Sequence, residues 1–171
     1  MIRPARRLDA EALASIYAPF VTEGSTSFEA VAPDASEMTR RLTGLVDGGY
    51  PWLVATDDDQ VLGYAYGSPH RAREAYRWSV ETTVYLAPGA RGRGLGTQLM
   101  EALLNELSSR GFALALAGVT LPNPASVALH RKLGFAEVGV FRGVGYKHGA
   151  WHDVWWGQRP LPTPRAPEPP R

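Results

Sequence analysis

Apolar residues follow two different spacings along this chain, and the two spacings separate helices from strands. Helical spacing begins near Leu8, near Met38, at Leu95 and after Asn123. Shorter runs rich in β-branched and aromatic residues lie between these segments and predict strands. The resulting order is β-α-α-β-β-β-α-β-α-β-β, which predicts an α/β chain with a mixed sheet rather than a regular doubly wound alternation.

The helical segments have predictable inward faces and ends. Either Asp34 or Ser36 can cap the second helix. Asn123 is expected to cap the fourth helix, which Gly134 ends in a left-handed conformation. The residues expected to face inward are Leu8, Leu13, Ile16, Tyr17, Phe20 and Val21 in the first helix, and Met38, Leu42, Leu45 and Val46 in the second.

The strand WSVETTVYL carries a carboxylate in its middle. Strict alternation places Trp78, Val80, Thr82, Val84 and Leu86 on one face and Glu81, Thr83 and Tyr85 on the other. A carboxylate inside a central strand is costly unless it is paired or functional. Glu81 is therefore either a catalytic base or the ion-pair partner of a nearby arginine such as Arg73 or Arg77.

The loop PGARGRGLG joins that strand to the third helix. A glycine-rich turn that opens a helix directs free backbone N–H groups at one spot, where an anion such as phosphate is favoured. The loop lacks the lysine of a Walker motif, and Thr97 stands where a Rossmann loop has its third glycine. Arg91, Gly94 and Gly96 satisfy instead the pattern Q/R-x-x-G-x-G/A. A plain glycine turn is the alternative.

Composition and charge exclude several classes of protein. The 171 residues suit one domain, expected over residues 1–158, followed by a proline-rich and disordered tail over residues 159–171. The net charge of +1 is too small for sequence-independent binding of nucleic acid, and no apolar run is long enough to cross a membrane.

The absence of cysteine excludes disulfides and thiolate metal sites, and His70, His148 and His152 lack metal-ligand spacing. We expect a cytoplasmic protein without a metal.

The segment VYLAPGARGRGLGTQLMEALL resembles the acetyl-coenzyme A loop of the GNAT acyltransferases. The blocks SFEA, YPWLVA, GYAYGSPHRAREAYRWSVETTVYLAP, NPASVALHRKLGF and VGYKHGAWHDVWW resemble more closely the phosphinothricin and methionine sulfoximine (or sulfone) N-acetyltransferases. This resemblance runs from residue 2 to about residue 158. It implies the GNAT fold, with a mostly antiparallel sheet of about seven strands flanked by four helices.

The resemblance also implies the roles of individual residues. Glu81 would be the base, and His130 would be the general acid at a position where many GNAT enzymes have tyrosine; a histidine on the helix surface is the alternative. The acetyl-coenzyme A site would consist of Val84, Tyr85, Leu86, Arg91, Gly92, Arg93, Gly94, Leu95, Gly96, Thr97, Asn123 and Ser126. The substrate site would consist of Phe28, Arg73, Glu74, Ala75, Tyr76 and Thr83.

The activity that the resemblance implies is transfer of an acetyl group to the α-amino group of a small amino-acid analogue. Phosphinothricin, methionine sulfoximine and methionine sulfone are the expected substrates, and acetylation would detoxify them. The block with Lys147, Trp151 and Asp153 resembles one near the dimer interface of the family, so a homodimer is expected. The alternatives are acetylation of another amine, such as a small metabolite or a protein N-terminus, and a non-catalytic sensor that binds acyl-coenzyme A.

Overall fold

The computed structural model describes residues 1–162, which form seven strands and four α-helices. In chain order the elements are β1 (Ile2–Pro4), α1 (Ala10–Thr22), α2 (Ala35–Asp47), β2 (Trp52–Asp57), β3 (Gln60–Pro69), β4 (Ser79–Leu86), α3 (Leu95–Ser109), β5 (Leu114–Thr120), α4 (Pro124–Lys132), β6 (Ala136–Lys147) and β7 (Ala150–Pro160). This order confirms the predicted fold. No helix within residues 1–162 is long and apolar enough to cross a lipid bilayer.

The sheet has the strand order β1-β2-β3-β4-β5-β7-β6, and it is parallel only between β4 and β5. That parallel ladder is short, since it joins residues 79–81 to residues 114–116. Beyond it, β4 stays paired with β3 as far as Leu86, while β5 stays paired with β7 as far as Thr120. The sheet therefore splits between its two central strands after Glu81.

Each face of the sheet is covered by a pair of helices, so side chains alternate between two cores. Leu53 and Val80 belong to the core that includes α3, whereas Trp52 and Val54 belong to the core beneath α1 and α2. Val84 and Leu86 pack on the first core and Tyr85 packs on the second, as the alternation in β4 predicts. The face of β4 that carries Glu81 is therefore the face toward α1 and α2.

Two residues predicted to face inward are exposed instead. Leu8 is 94% exposed because it lies in a short 3-10 turn, Arg7–Asp9, before α1 begins. Val46 is 45% exposed because the inward seam of α2 passes through Met38 and Leu42 to Leu45 at 3.6 residues per turn, which rotates Val46 outward.

The ends of α2 and α4 agree with the sequence. Asp34, rather than Ser36, caps α2, because its carboxylate accepts a hydrogen bond from the Glu37 N–H at 2.8 Å. The Asn123 side chain accepts from the Ser126 N–H at 3.1 Å, and Gly134 follows α4 with a φ of 81°. These ends fix where Ser126 and the residues after it lie along α4.

The last strand extends beyond the predicted boundary of the domain. Pro160 still pairs with Leu114, and Leu161 is buried in the core beside α3 with its N–H bonded to the Ala113 carbonyl. Apolar contacts of Leu161 therefore carry the ordered chain past residue 158. Most of the predicted tail, residues 163–171, lies outside the described residues.

Candidate active site

The split between β4 and β5 opens a groove of about 570 Å³ on the side of α4, here called the outer groove. Its walls come from the end of α1, the second half of β4, the glycine-rich loop and the start of α4. The predicted cofactor residues that line it are Val84, Tyr85, Leu86, Arg91, Gly92, Gly96, Asn123 and Ser126. Backbone groups of residues 83–86 that point away from β3 lack a strand partner among the described residues, because the ladder to β5 has already ended.

The glycine-rich loop forms a cradle at the mouth of the outer groove. Gly92 and Gly94 have φ values of 75° and 78°, which side-chain-bearing residues rarely adopt. Gly94 is the N-cap of α3, and the first bond of that helix runs from the Gln98 N–H to the Gly94 carbonyl. The backbone N–H groups that come just before Gln98 therefore have no partner within the helix. They suit the phosphate groups of a nucleotide-like ligand.

The two arginines of this loop have different surroundings. The Arg91 guanidinium lies over the Phe20 ring, 5.3 Å from its centroid, and Arg91 lines the outer groove. Arg93 lies instead 3.6 Å from the Asp57 carboxylate, at the end of β2, and both side chains are largely exposed. Arg91 is therefore the arginine placed to add positive charge inside the groove.

The outer groove narrows into a cavity of about 90 Å³ between β4, β5 and α4, here called the inner cavity. His130 lines it and is only 3% exposed, which rules out a position on the helix surface. The His130 Nδ1 atom lies 2.8 Å from the Ser126 carbonyl oxygen. Because a carbonyl oxygen only accepts, Nδ1 carries the hydrogen.

The protonation of His130 bears on its predicted role as general acid. Burial lowers the pKa of His130, which favours the neutral ring. The Nε2 atom is buried and has no hydrogen-bond partner within residues 1–162. A neutral ring with its hydrogen on Nδ1 has an unprotonated Nε2, so this imidazole must accept a proton before it can donate one into the cavity.

A third space of about 400 Å³, here called the Glu81 cavity, adjoins the inner cavity along β4 and β5. Glu81 and Phe28 line it, and Thr83 and Gly118 line both this cavity and the inner one. The three spaces therefore follow one another around the point where β4 and β5 separate. A ligand in the outer groove and a ligand in the Glu81 cavity would meet at this point.

Within residues 1–162, Glu81 is not paired with an arginine. Its Oε1 atom lies 2.8 Å from Nδ1 of His70, and its side chain is 34% exposed. Arg77, one of the two partners that the sequence offered, pairs with Glu74 at 2.9 Å. The guanidinium of the other, Arg73, has no ion-pair partner in the part of the chain that the structure describes.

Phe28 is held over the Glu81 cavity by contacts on both sides. Lys147 donates hydrogen bonds of 2.6 Å to the carbonyl oxygens of Val21 and Ser27, which fixes the loop after α1. The Phe28 ring lies so close to Gly145 of β6 that a Cβ atom there would overlap it. The position of Phe28 therefore depends on residues that are distant in sequence.

The segment 73–76, predicted to bind substrate, does not line any of the three spaces. Its residues Arg73, Glu74, Ala75 and Tyr76 are exposed, and the last three form a short 3-10 helix before β4. Tyr76 contacts the His70 ring edge-on, with centroids 5.7 Å apart. The segment is thus connected to Glu81 through His70.

Several residues that complete the Glu81 cavity were missed from the sequence. Trp156 of β7 and Phe141 of β6 line it. The Trp156 ring lies against Gly118, its partner in the β5–β7 ladder, where ring atoms are 3.1 Å from the position of a Cβ. A glycine within a strand was the only local signal of this close approach. Within residues 1–162 no cluster of three or more His, Cys, Asp or Glu residues could hold a metal ion.

Comparisons with known proteins agree with this geometry. Residues 12–135 match the Acetyltransferase (GNAT) family. The chain is 43% identical over 164 residues to a phosphinothricin N-acetyltransferase of Streptomyces coelicolor, covering 94% of this chain and 95% of the relative. It is 36% identical over 168 residues to an L-methionine sulfoximine/L-methionine sulfone acetyltransferase of Pseudomonas paraeruginosa, covering 97% and 98%.

The structural similarity covers the same part of the chain. A phosphinothricin acetyltransferase from Sinorhizobium meliloti, solved in complex with acetyl-coenzyme A, superposes with a TM-score of 0.93 at 39% identity, covering 99% of this chain and 92% of that one. The resemblance inferred from the sequence is confirmed. The chain belongs to the acetyltransferase (GNAT) family, as an N-acetyltransferase similar to the phosphinothricin acetyltransferases.

Proposed function

We propose that this protein transfers an acetyl group from acetyl-coenzyme A to the α-amino group of a small amino-acid analogue such as phosphinothricin, methionine sulfoximine or methionine sulfone. The observation that carries the proposal is the meeting of the outer groove, with its phosphate cradle, and the Glu81 cavity at the split between β4 and β5. The names of the relatives support this class of acceptor. Acetylation would detoxify the analogue, because the amide nitrogen no longer carries a positive charge.

The outer groove is the proposed site of the donor. The loop of residues 91–97 would hold the pyrophosphate on the N–H groups that follow Arg91 and precede Gln98, and on the Arg91 guanidinium. The unpaired edge of residues 84–86 would bond the pantetheine arm as a further strand would. Asn123 and Ser126, at the start of α4, would contact its other side.

The reaction requires the acceptor nitrogen to lose two protons, because an ammonium group carries three hydrogens and the product amide carries one. Glu81 accepts the first and leaves the amine free to attack the thioester carbonyl. Backbone N–H groups of residues 84–86 stabilise the negative charge that develops on the carbonyl oxygen. His130 accepts the second proton on Nε2 and returns it to the departing thiolate, which modifies the predicted role of this histidine as a preformed acid.

The Glu81 cavity is the proposed site of the acceptor. Phe28 and Trp156 supply apolar walls, and Thr83 supplies a hydroxyl. The Arg73 guanidinium, which has no ion-pair partner within residues 1–162, is available for the carboxylate of an amino acid when the segment 73–76 closes on the ligand. A guanidinium brought to the acceptor in this way disfavours polycationic amines such as polyamines and aminoglycosides.

An amine panel tests the proposed function. Purified protein with acetyl-coenzyme A is expected to release free thiol with phosphinothricin or one of the two methionine analogues, and much more slowly with spermidine or with a peptide N-terminus. The reason is that only the amino-acid analogues offer both an α-amino group to Glu81 and a carboxylate to Arg73. Thiol release with none of the three analogues would refute this substrate class. Release with a different amine would reassign the acceptor.

The buried neutral state of His130 predicts a pH dependence of stability. The unfolded chain binds a proton at His130 below about pH 6.5, whereas the folded chain does so only at lower pH, so stability falls as pH decreases from that value. We expect Tm to fall less between pH 7.5 and 5.5 in His130→Asn, which keeps a donor for the Ser126 carbonyl but does not titrate. The exposed His148→Asn is the matched control, with the response of the wild type. An equal fall in all three proteins would contradict a buried neutral His130.

We further propose that the protein is a homodimer. Apolar side chains on β6 and β7 are exposed, and β6 is an edge strand of the sheet. The exposed residues are Val138, Phe141, Val144, Tyr146 and Trp151. A second copy would cover this surface and, because Phe141 and Val144 also line the Glu81 cavity, would enclose the acceptor. Sedimentation velocity of the wild type is expected to give twice the mass of one chain. The same measurement on Trp151→Glu is expected to give the mass of a single chain. A monomeric wild type would refute the dimer.

A further inference from the structure

His70 is the hydrogen-bond partner of the predicted base. Its Nδ1 atom lies 2.8 Å from the Glu81 Oε1 atom. The contact follows from the sheet register, in which Ser68 pairs with Glu81 and Pro69 pairs with Val80, so that residue 70 leaves the end of β3 beside the carboxylate. His70 lacks metal-ligand spacing, and no motif in the sequence assigns it a role.

The His70 ring is held in place by two aromatic side chains. Tyr76 contacts it at 5.7 Å between centroids with the planes 76° apart, and Trp156 contacts it at 6.3 Å with the planes 69° apart. The His70 side chain is only 17% exposed. Packing of this kind restricts the ring to one orientation and keeps Nδ1 directed at Glu81.

The direction of the hydrogen bond follows from the chemistry of the carboxylate. An ionised carboxylate only accepts, so Nδ1 of His70 donates to Oε1 of Glu81 whenever Glu81 is ready to act as a base. This donor occupies one carboxylate oxygen and fixes the plane of the group. The other oxygen, Oε2, is left to accept a proton from an amine in the Glu81 cavity.

We propose that His70 is a positioning residue, which orients Glu81 for proton abstraction without touching the reacting amine. This inference rests on the proposed function, in which Glu81 is the base. It also connects the segment 73–76 to the chemistry, because Tyr76 contacts the ring that holds the base. A carboxylate without this donor would sample several rotamers, and fewer of them would place an oxygen on the acceptor nitrogen.

Two substitutions of His70 separate hydrogen bonding from packing. His70→Phe keeps an aromatic ring against Tyr76 and Trp156 but has no donor, whereas His70→Asn is smaller but places an amide N–H near the position of Nδ1. With an amine that the wild type acetylates, we expect His70→Phe to lower kcat by about 10- to 100-fold with KM for acetyl-coenzyme A unchanged. His70→Asn is expected to stay within about 5-fold of the wild type. A fully active His70→Phe, or an equal loss in both variants, would overturn the proposal.

A double-mutant cycle tests whether His70 acts through Glu81. Glu81→Gln removes the base and is expected to lower kcat by about 10²- to 10⁴-fold. If His70 only orients Glu81, adding His70→Phe to Glu81→Gln should cost less than about 3-fold more. A further loss as large as that in the wild-type background would assign His70 a different role. The Tm and the acetyl-coenzyme A affinity of each variant report whether it has folded.

A spectroscopic measurement tests the role of His70 without any amine substrate. Failure of the proposed substrate class would therefore not affect its result. In protein labelled with ¹⁵N-histidine, neutral His70 is expected to carry its hydrogen on Nδ1. In Glu81→Leu, residue 81 cannot accept a hydrogen bond from His70. The His70 tautomer is then expected to shift toward Nε2–H. If His70 of the wild type carried its hydrogen on Nε2, the donor geometry would be refuted.

Discussion

The site depends on one feature of the sheet, which is the early end of the parallel ladder between β4 and β5. The ladder stops after Glu81 because β4 continues along β3 while β5 continues along β7. At the same point the Thr82 hydroxyl donates a 3.0 Å hydrogen bond to the Leu116 carbonyl, which satisfies an acceptor where the strands begin to separate. Unpaired backbone and an open space follow directly, and the proposed binding and chemistry both depend on them.

Elements that flank the split aim their polar groups into it. The left-handed glycines before α3 place a turn of free N–H groups at one end, and the N-cap of α4 places Ser126 and, one turn later, His130 at the other. The Ser126 carbonyl fixes the hydrogen of His130 on Nδ1, so the fold determines the protonation state that faces the inner cavity. On the face of the sheet toward α1 and α2, the proposed role of His70 is to donate to one oxygen of Glu81 and so fix the carboxylate. Two histidines thus serve the proposed reaction in different ways, one by holding a base and one by exchanging a proton.

The local parts of this arrangement could be predicted from the sequence. Alternation in β4 predicted that Glu81 lies on the opposite face of the strand from Val80 and Val84. The Asn123 cap predicted where α4 begins. Both signals depend only on residues that are neighbours in the sequence. The contacts of His70 with Glu81, of Trp156 with Gly118 and of Phe28 with Gly145 could not be predicted, because each joins different elements of the fold through sheet register or loop packing. The outward positions of Leu8 and Val46 depend on where α1 begins and on which seam of α2 packs inward, and the apolar pattern alone fixes neither.

The central claim is that donor and acceptor meet where β4 and β5 separate, and a crystal structure with coenzyme A and an N-acetylated product tests it most directly. The pyrophosphate is expected within hydrogen-bond distance of the N–H groups of residues 91–97. The acetamide is expected between the coenzyme A sulfur and the Glu81 carboxylate, with the sulfur near His130 Nε2. A pyrophosphate bound away from this loop, or a product bound on the far side of the sheet from Glu81, would contradict the account.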